Sequence, residues 1–188
     1  MDVIKWISSQ HRGVRFAYNT SVSNLVPFDK RLVRPGEVGN SIAWLVWHMA
    51  RTEDFVINSV IRRTPQIFTA WSDRLGGDYR NGTGFSDDEV AGFDVDAAVL
   101  DSYWEAVADE TTAWLKDVDP ATLEDVTDID SAVEGLPSLT GHLDSAMLDI
   151  WRGRKASYLL GAPIIAHGYM HVGEMIAIRG RLGIDGFI

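Results

Sequence analysis

An all-α helical bundle is the fold class this sequence predicts, and three observations point to it. Apolar residues recur three and four positions apart along nearly the whole chain, the spacing of one helix face. No stretch shows the apolar–polar alternation of a half-buried strand. Capping residues, prolines and glycines divide the pattern into long segments rather than short ones. At 188 residues the chain is expected to form one domain, residues 1–188, long enough to close a single sizeable core.

The first helix is expected from Val3 to about Phe28, with Ile4, Ile7, Val14, Tyr18, Val22 and Leu25 on its apolar face. The turn "VRPGEVGN" follows, and Asn40 or Ser41 is placed to cap a second helix from Ile42 to about Arg63. A long connection, residues 64–94, contains Gly and Asn turn signals, and its Phe68, Trp71 and Leu75 predict a short helical piece docked on the bundle. Within it, Ser86 and Glu89 have the spacing of a capping box. The "NGTG" at residues 81–84 lacks both a preceding strand and a following Lys-Ser/Thr, so it does not read as a phosphate loop. A third helix is expected from Val95 to about Lys116 after Asp94 as cap, then a turn with Pro120 at a first helical position. Residues 126–138 read as irregular. A fourth helix, Leu139 to Leu160, is expected to end at Gly161, and a last one to run from Pro163 to Gly183.

The bulk composition is that of a soluble protein, with 46% hydrophobic and 23% charged residues. A net charge of −10 argues against nucleic acid or an anionic membrane as partner, since both are recognised by basic faces. The longest apolar run, Ile42 to Trp47, is far short of the roughly 20 residues that span a bilayer. The N-terminal "MDVIKWISSQHR" has an acid at position 2 and no long apolar core, unlike a signal peptide. A cytoplasmic location is therefore expected. There is no cysteine, which removes disulfides, thiol nucleophiles, Fe–S clusters and Cys-based zinc sites. Any metal must be held by His, Asp or Glu.

One segment concentrates the chemistry. "PIIAHGYMHVGEMIAIRGRLG" carries His167 and His171 four residues apart. On a helix such residues lie about 40° apart around the axis, so both imidazoles point the same way. Ile164, Glu174, Met175 and Ile178 share that face, which is therefore the buried one. Both rings could reach one ion at the roughly 2.0–2.1 Å of a Zn–N bond. Two hydrogen-bonded core histidines would fit the same spacing. A third histidine shifts the balance: His48 lies on the second helix with Trp44, Leu45, Thr52 and Phe55, again the core side. Three imidazoles on inward faces need partners, because an unpaired one in an apolar interior is costly. Zincin proteases need Glu after the first His, where Gly168 stands, and no histidine here follows a Glu at the spacing of a di-iron bundle. His11 and His142 have no partner at helical spacing and read as surface or structural, with His142 the one of the two expected to approach the site.

These residues resemble the DinB-like (DinB/YfiT) superfamily of metalloproteins. The resemblance rests on "SIAWLVWHMARTEDFVIN", on the loop from Trp71 to Gly84, and on "HGYMHVGEMIAIRGRLG". It implies an up-down-down-up four-helix bundle, here with an additional helix at 139–160 and the 64–94 connection as crossover. It also implies a divalent metal, zinc or nickel, on His48, His167 and His171, and a homodimer. Related bundles include thiol S-transferases that use mycothiol or bacillithiol, and a mycothiol-dependent maleylpyruvate isomerase. The leading expectation is therefore a metal-dependent transferase that uses a low-molecular-weight thiol and a small-molecule substrate. The alternative is a non-catalytic metal or small-ligand binding bundle associated with stress response.

Three neutral imidazoles leave an ion its full charge and an open position, the pattern of a catalytic site. Glu174, one turn past His171, is a candidate to orient a ligand or act as a base, and Arg51 is a candidate to hold a substrate carboxylate. Glu53 and Asp54 are expected to cap or pair locally. Trp44, Trp47 and Trp71 are candidate pocket walls, or plain core.

Overall fold

The computed structural model describes residues 2–134 and 145–186. Among these the chain is helical, and the only β-type pairing is an isolated bridge between Val126 and Lys155. Four long helices form the frame: α1 (Val3–Tyr18), α2 (Ile42–Asp54), α3 (Ala97–Asp117) and α4 (His167–Arg181). Three of them start where a side-chain oxygen takes up free backbone donors. Asp2 accepts from the Lys5 amide, Ser41 from that of Trp44, and Asp96 from those of Ala98 and Val99.

Cross-helix contacts give the directions. Between α2 and α3, Asp54 bonds Tyr103 and the following turn's Arg62 bonds Glu110, so the two run parallel. Between α1 and α3, Tyr18 bonds Asp101 while the earlier Arg15 bonds Asp109, so they are antiparallel. Asn40 meets Glu174 and His48 meets His167, which makes α2 and α4 antiparallel. Gln10 meets Tyr169 and Ser21 meets Arg179, so α1 and α4 are parallel. The order is up-down-down-up. Parallel α2 and α3 require the chain to return the full length of the bundle between them, and residues 64–94 are that crossover.

The crossover is built from short pieces. Single turns at Ile67–Ala70 and Ser72–Arg74 bury Phe68, and the Ser86–Glu89 capping box opens a short helix, Asp87–Ala91. The core divides into a cluster around Trp44, Trp47, Tyr103 and Trp104, and another around Phe55, Ile57, Leu115 and Trp151. α2 is buried along its whole length, as expected of a helix with neighbours on every side.

The structure shifts several predicted boundaries. The first helix ends at Tyr18, loosens into a wide turn over Asn19–Ser23, and does not reach Phe28. α3 is capped by Asp96 rather than Asp94. Residues 129–134 are helical, not irregular. The predicted fourth helix lies partly outside the described residues; what is described breaks between Ser145–Trp151 and Ala156–Leu159, with Gly153 at φ +67°. Gly161 does not stop the next segment, nor does Pro163 start a new one. Ala156–Leu159 runs through wide, π-type turns at Leu160–Ala166 directly into α4, with Pro163 inside them. Proline has no N–H for the usual helical bond, and the widened turn absorbs that loss. Gly183, at φ +72°, terminates the helix as expected.

Candidate metal centre

α2 delivers His48 and α4 delivers His167 and His171, and their ligand atoms converge. The Nε2 of His167 lies 3.1 Å from that of His48 and 2.9 Å from that of His171. All three ligand atoms fall within 4.8 Å of one another. The rings meet edge to face, with centroids 4.3 to 5.1 Å apart. His48 and His171 are buried and His167 is partly so.

What the other ring nitrogens do decides the reading. His48 donates its Nδ1–H to the Asn81 carbonyl oxygen, and His171 donates from Nδ1 to Glu174 Oε2 at 2.9 Å. The Pro163 backbone, which has no N–H and therefore only accepts, favours a proton on His167. With the Nδ1 atoms of His48 and His171 carrying the proton, their Nε2 atoms both present lone pairs to the Nε2 of His167. A proton on His167 Nε2 could serve only one of these two neighbours. A cation relieves the conflict: donors of a tetrahedral ion at about 2.0–2.1 Å sit roughly 3.3–3.4 Å apart, close to the spacing here. The donor set fits a divalent metal.

The surroundings fix these orientations. Trp44 stacks on His48, with centroids 5.1 Å apart and planes 10° from parallel. Glu174 Oε1 accepts from Asn40 Nδ2 at 2.8 Å, so the carboxylate behind His171 is itself held. The hydrogen bond from His171, followed by that from Asn40, keeps the Glu174 carboxyl below its ordinary pKa. Burial lowers the His48 pKa to about 4. Burial and then repulsion from His48 and His171 lower that of His167 to about 3. Both rings are neutral, and free to ligate, at pH 7.

The crossover supplies what the sequence did not announce. Asn81 places its carbonyl on His48, and its side-chain oxygen accepts from the Thr83 amide at 3.0 Å. Gly82 follows at φ +90°, where a Cβ would come within 2.8 Å of Trp44 and 2.9 Å of Trp47. Only glycine meets both conditions. The "NGTG" stretch is thus the turn that lays a carbonyl against a site imidazole. The Asn-Gly dipeptide signals the turn; its target is set by the fold.

Arg51 sits elsewhere than a substrate would need it. It is 0% exposed, bonds Asp54, Tyr103 and the Tyr79 carbonyl at 3.4, 3.1 and 2.7 Å, and lies 4.0 Å over the Phe68 ring. It clamps the crossover to α2. Asp54 does likewise: beside its local partners Arg51 and Asn58 it accepts from the distant Ile67 and Phe68 amides. Glu53 accepts from the buried His11 Nε2 at 2.9 Å, which gives His11 a structural role across the core. His142 lies outside the described residues. Trp47 packs on Phe85 and Phe93, and Trp71 on Tyr103.

The profile of the DinB superfamily matches residues 17–143, more than half of the chain. The crystal structure of a conserved protein from Enterococcus faecalis matches with a TM-score of 0.70 at 18% identity, covering 97% of this chain and 99% of that one. At that identity the likeness is one of fold. No functionally curated protein matches the chain.

Proposed function

The chain belongs to the DinB superfamily, and on that basis we propose that it binds a divalent metal, zinc or nickel, through His48, His167 and His171. We propose further that it is a transferase that joins a low-molecular-weight thiol of the mycothiol or bacillithiol type to a small-molecule substrate. The observation that carries the metal reading is the convergence of three Nε2 atoms while the Nδ1 atoms of His48 and His171 are engaged elsewhere. Imidazole donors suit zinc and nickel. A divalent ion held by three neutral ligands supplies the charge that lowers the pKa of a bound thiol.

The chain's own groups divide the remaining work. Asn81 and Glu174 hold His48 and His171 in the tautomer that ligates. Glu174, partly exposed beside the site, can accept the proton a thiol gives up. Trp44 and Gly82 pack against His48 and keep water from one side of it. A homodimer belongs to the same proposal and is supported by apolar side chains left exposed on α1 and α4, Phe16 and Met170 among them. Among the described residues no helix is long and apolar enough to cross a membrane.

The test is to incubate metal-loaded, tag-free protein with thiols and electrophiles in pairs and follow thioether formation. The transferase reading expects turnover that disappears on chelation and in His48→Ala. A protein that holds its metal at full stoichiometry but turns over no pair would instead be the non-catalytic, stress-associated binding bundle.

A further inference from the structure

Two of the three imidazoles line a cleft of about 200 Å³. His48 and His167 form its floor. One wall is apolar, made by Ile150, Trp151 and Tyr158. The rest of the lining is Ala162, Pro163 and the neutral polar residues Thr52, Asn81 and Thr83. No Lys, Arg, Asp or Glu lines the cleft among the described residues. Arg154, from the same segment as the apolar wall, lies 4.8 Å from the Tyr158 ring centroid and donates Nε to the Ile150 carbonyl at 3.0 Å, outside the lining.

We propose that this cleft takes the body of a small, uncharged substrate, aromatic or branched aliphatic, with its reacting end at the three Nε2 atoms. The inference rests on the metal reading above and adds the substrate class to it. An anionic group on the body, away from the reacting end, would leave water and meet no cationic side chain along the walls, a costly exchange. The net charge of −10 works against its approach as well. An apolar body gives up little to water and gains three apolar side chains. The volume falls below the roughly 300–1,000 Å³ of pockets for drug-sized ligands, so the ligand is small.

The test uses tag-free protein loaded with cobalt(II), whose visible bands report both the ion and a sulfur bound to it. Benzyl mercaptan, 2-mercaptoethanol and 3-mercaptopropionate are titrated in turn, each losing its S–H proton to the buffer as the sulfur joins cobalt. Affinities are corrected for the thiols' own pKa values. The proposal expects benzyl mercaptan to bind at least tenfold more tightly than either of the others. Ile150 is 50% exposed, so Ile150→Lys places a cation at the cleft without opening the core. That variant should keep the cobalt bands, tighten 3-mercaptopropionate several-fold and erode the benzyl preference. Intact bands with equal affinities, or with the carboxylate preferred in the parent, overturn the cleft assignment alone. Absence of cobalt bands overturns the metal reading and the cleft assignment together.

Discussion

Asp54→Asn tests how the crossover is tied to the site. The two Asp54 oxygens accept from the Ile67 and Phe68 amides at 3.0 and 2.8 Å, from Tyr103 at 2.8 Å and from Asn58 at 2.7 Å, with Arg51 at 3.4 Å. Asparagine keeps the shape but replaces one acceptor oxygen with an NH2 that faces donors. It also leaves the Arg51 guanidinium, 0% exposed, without its counter-charge. Removing one partner of a buried pair costs about 3–5 kcal/mol, most of it the price of the charge left behind. At about 1–3 kcal/mol/M in urea, the midpoint should fall by roughly 2 M at unchanged slope. Urea unfolding followed by far-ultraviolet circular dichroism measures this. Because Arg51 also holds Tyr79, two residues before Asn81, metal affinity should drop in the same variant. A midpoint shift under roughly 0.5 M, equivalent to about 1 kcal/mol, would show that the pair is solvated and the clamp is not a clamp.

Other variants separate the parts of the site. Gly82→Ala, strained at φ +90° and in collision with Trp44 and Trp47, should lose about 1–3 kcal/mol in thermal or urea unfolding; parent-like stability would contradict the packing described. Glu174→Gln should weaken metal binding about 10- to 100-fold with the fold intact, read by competition with a chromophoric chelator; unchanged affinity would remove Glu174 from the support of His171. In chelator-stripped protein, His48 and His167 have folded pKa values near 4 and 3, below the unfolded value of about 6.5. Their contribution is therefore complete above about pH 6.5 and is lost as pH falls toward 4, on the order of a few kcal/mol. The depressed carboxyls of Glu53 and Glu174 add their losses lower, below about pH 4.5. A urea midpoint flat between pH 6.5 and 4.5 would contradict buried neutral imidazoles.

What was legible in the sequence was whatever local periodicity encodes. His167 and His171 share a face because they are four residues apart, and His48 points inward because Trp44 and Leu45 do. The crossover could be read from its length and turn residues. The ties between segments could not. An arginine on a helix is usually solvated, so nothing local showed that Arg51 would be enclosed by Phe68, Tyr79 and Tyr103. Asn81 acts through a carbonyl that every residue possesses, and only the fold aims it at His48. Glu53 and His11 meet across the bundle, where no spacing rule applies. Pro163 read as a helix start because prolines favour that position; a π-type turn let the helix continue through it. The apolar wall of the cleft comes from a segment that packs against the site only in three dimensions.

The most direct measurement is elemental analysis of protein purified without a polyhistidine tag, beside a His48→Ala, His167→Ala double variant shown by circular dichroism to be folded. The account predicts close to one zinc or nickel per chain in the parent and none in the variant. A parent that carries no metal, and takes up none on titration after chelation, would contradict it. The three imidazoles would then be a hydrogen-bonded core cluster.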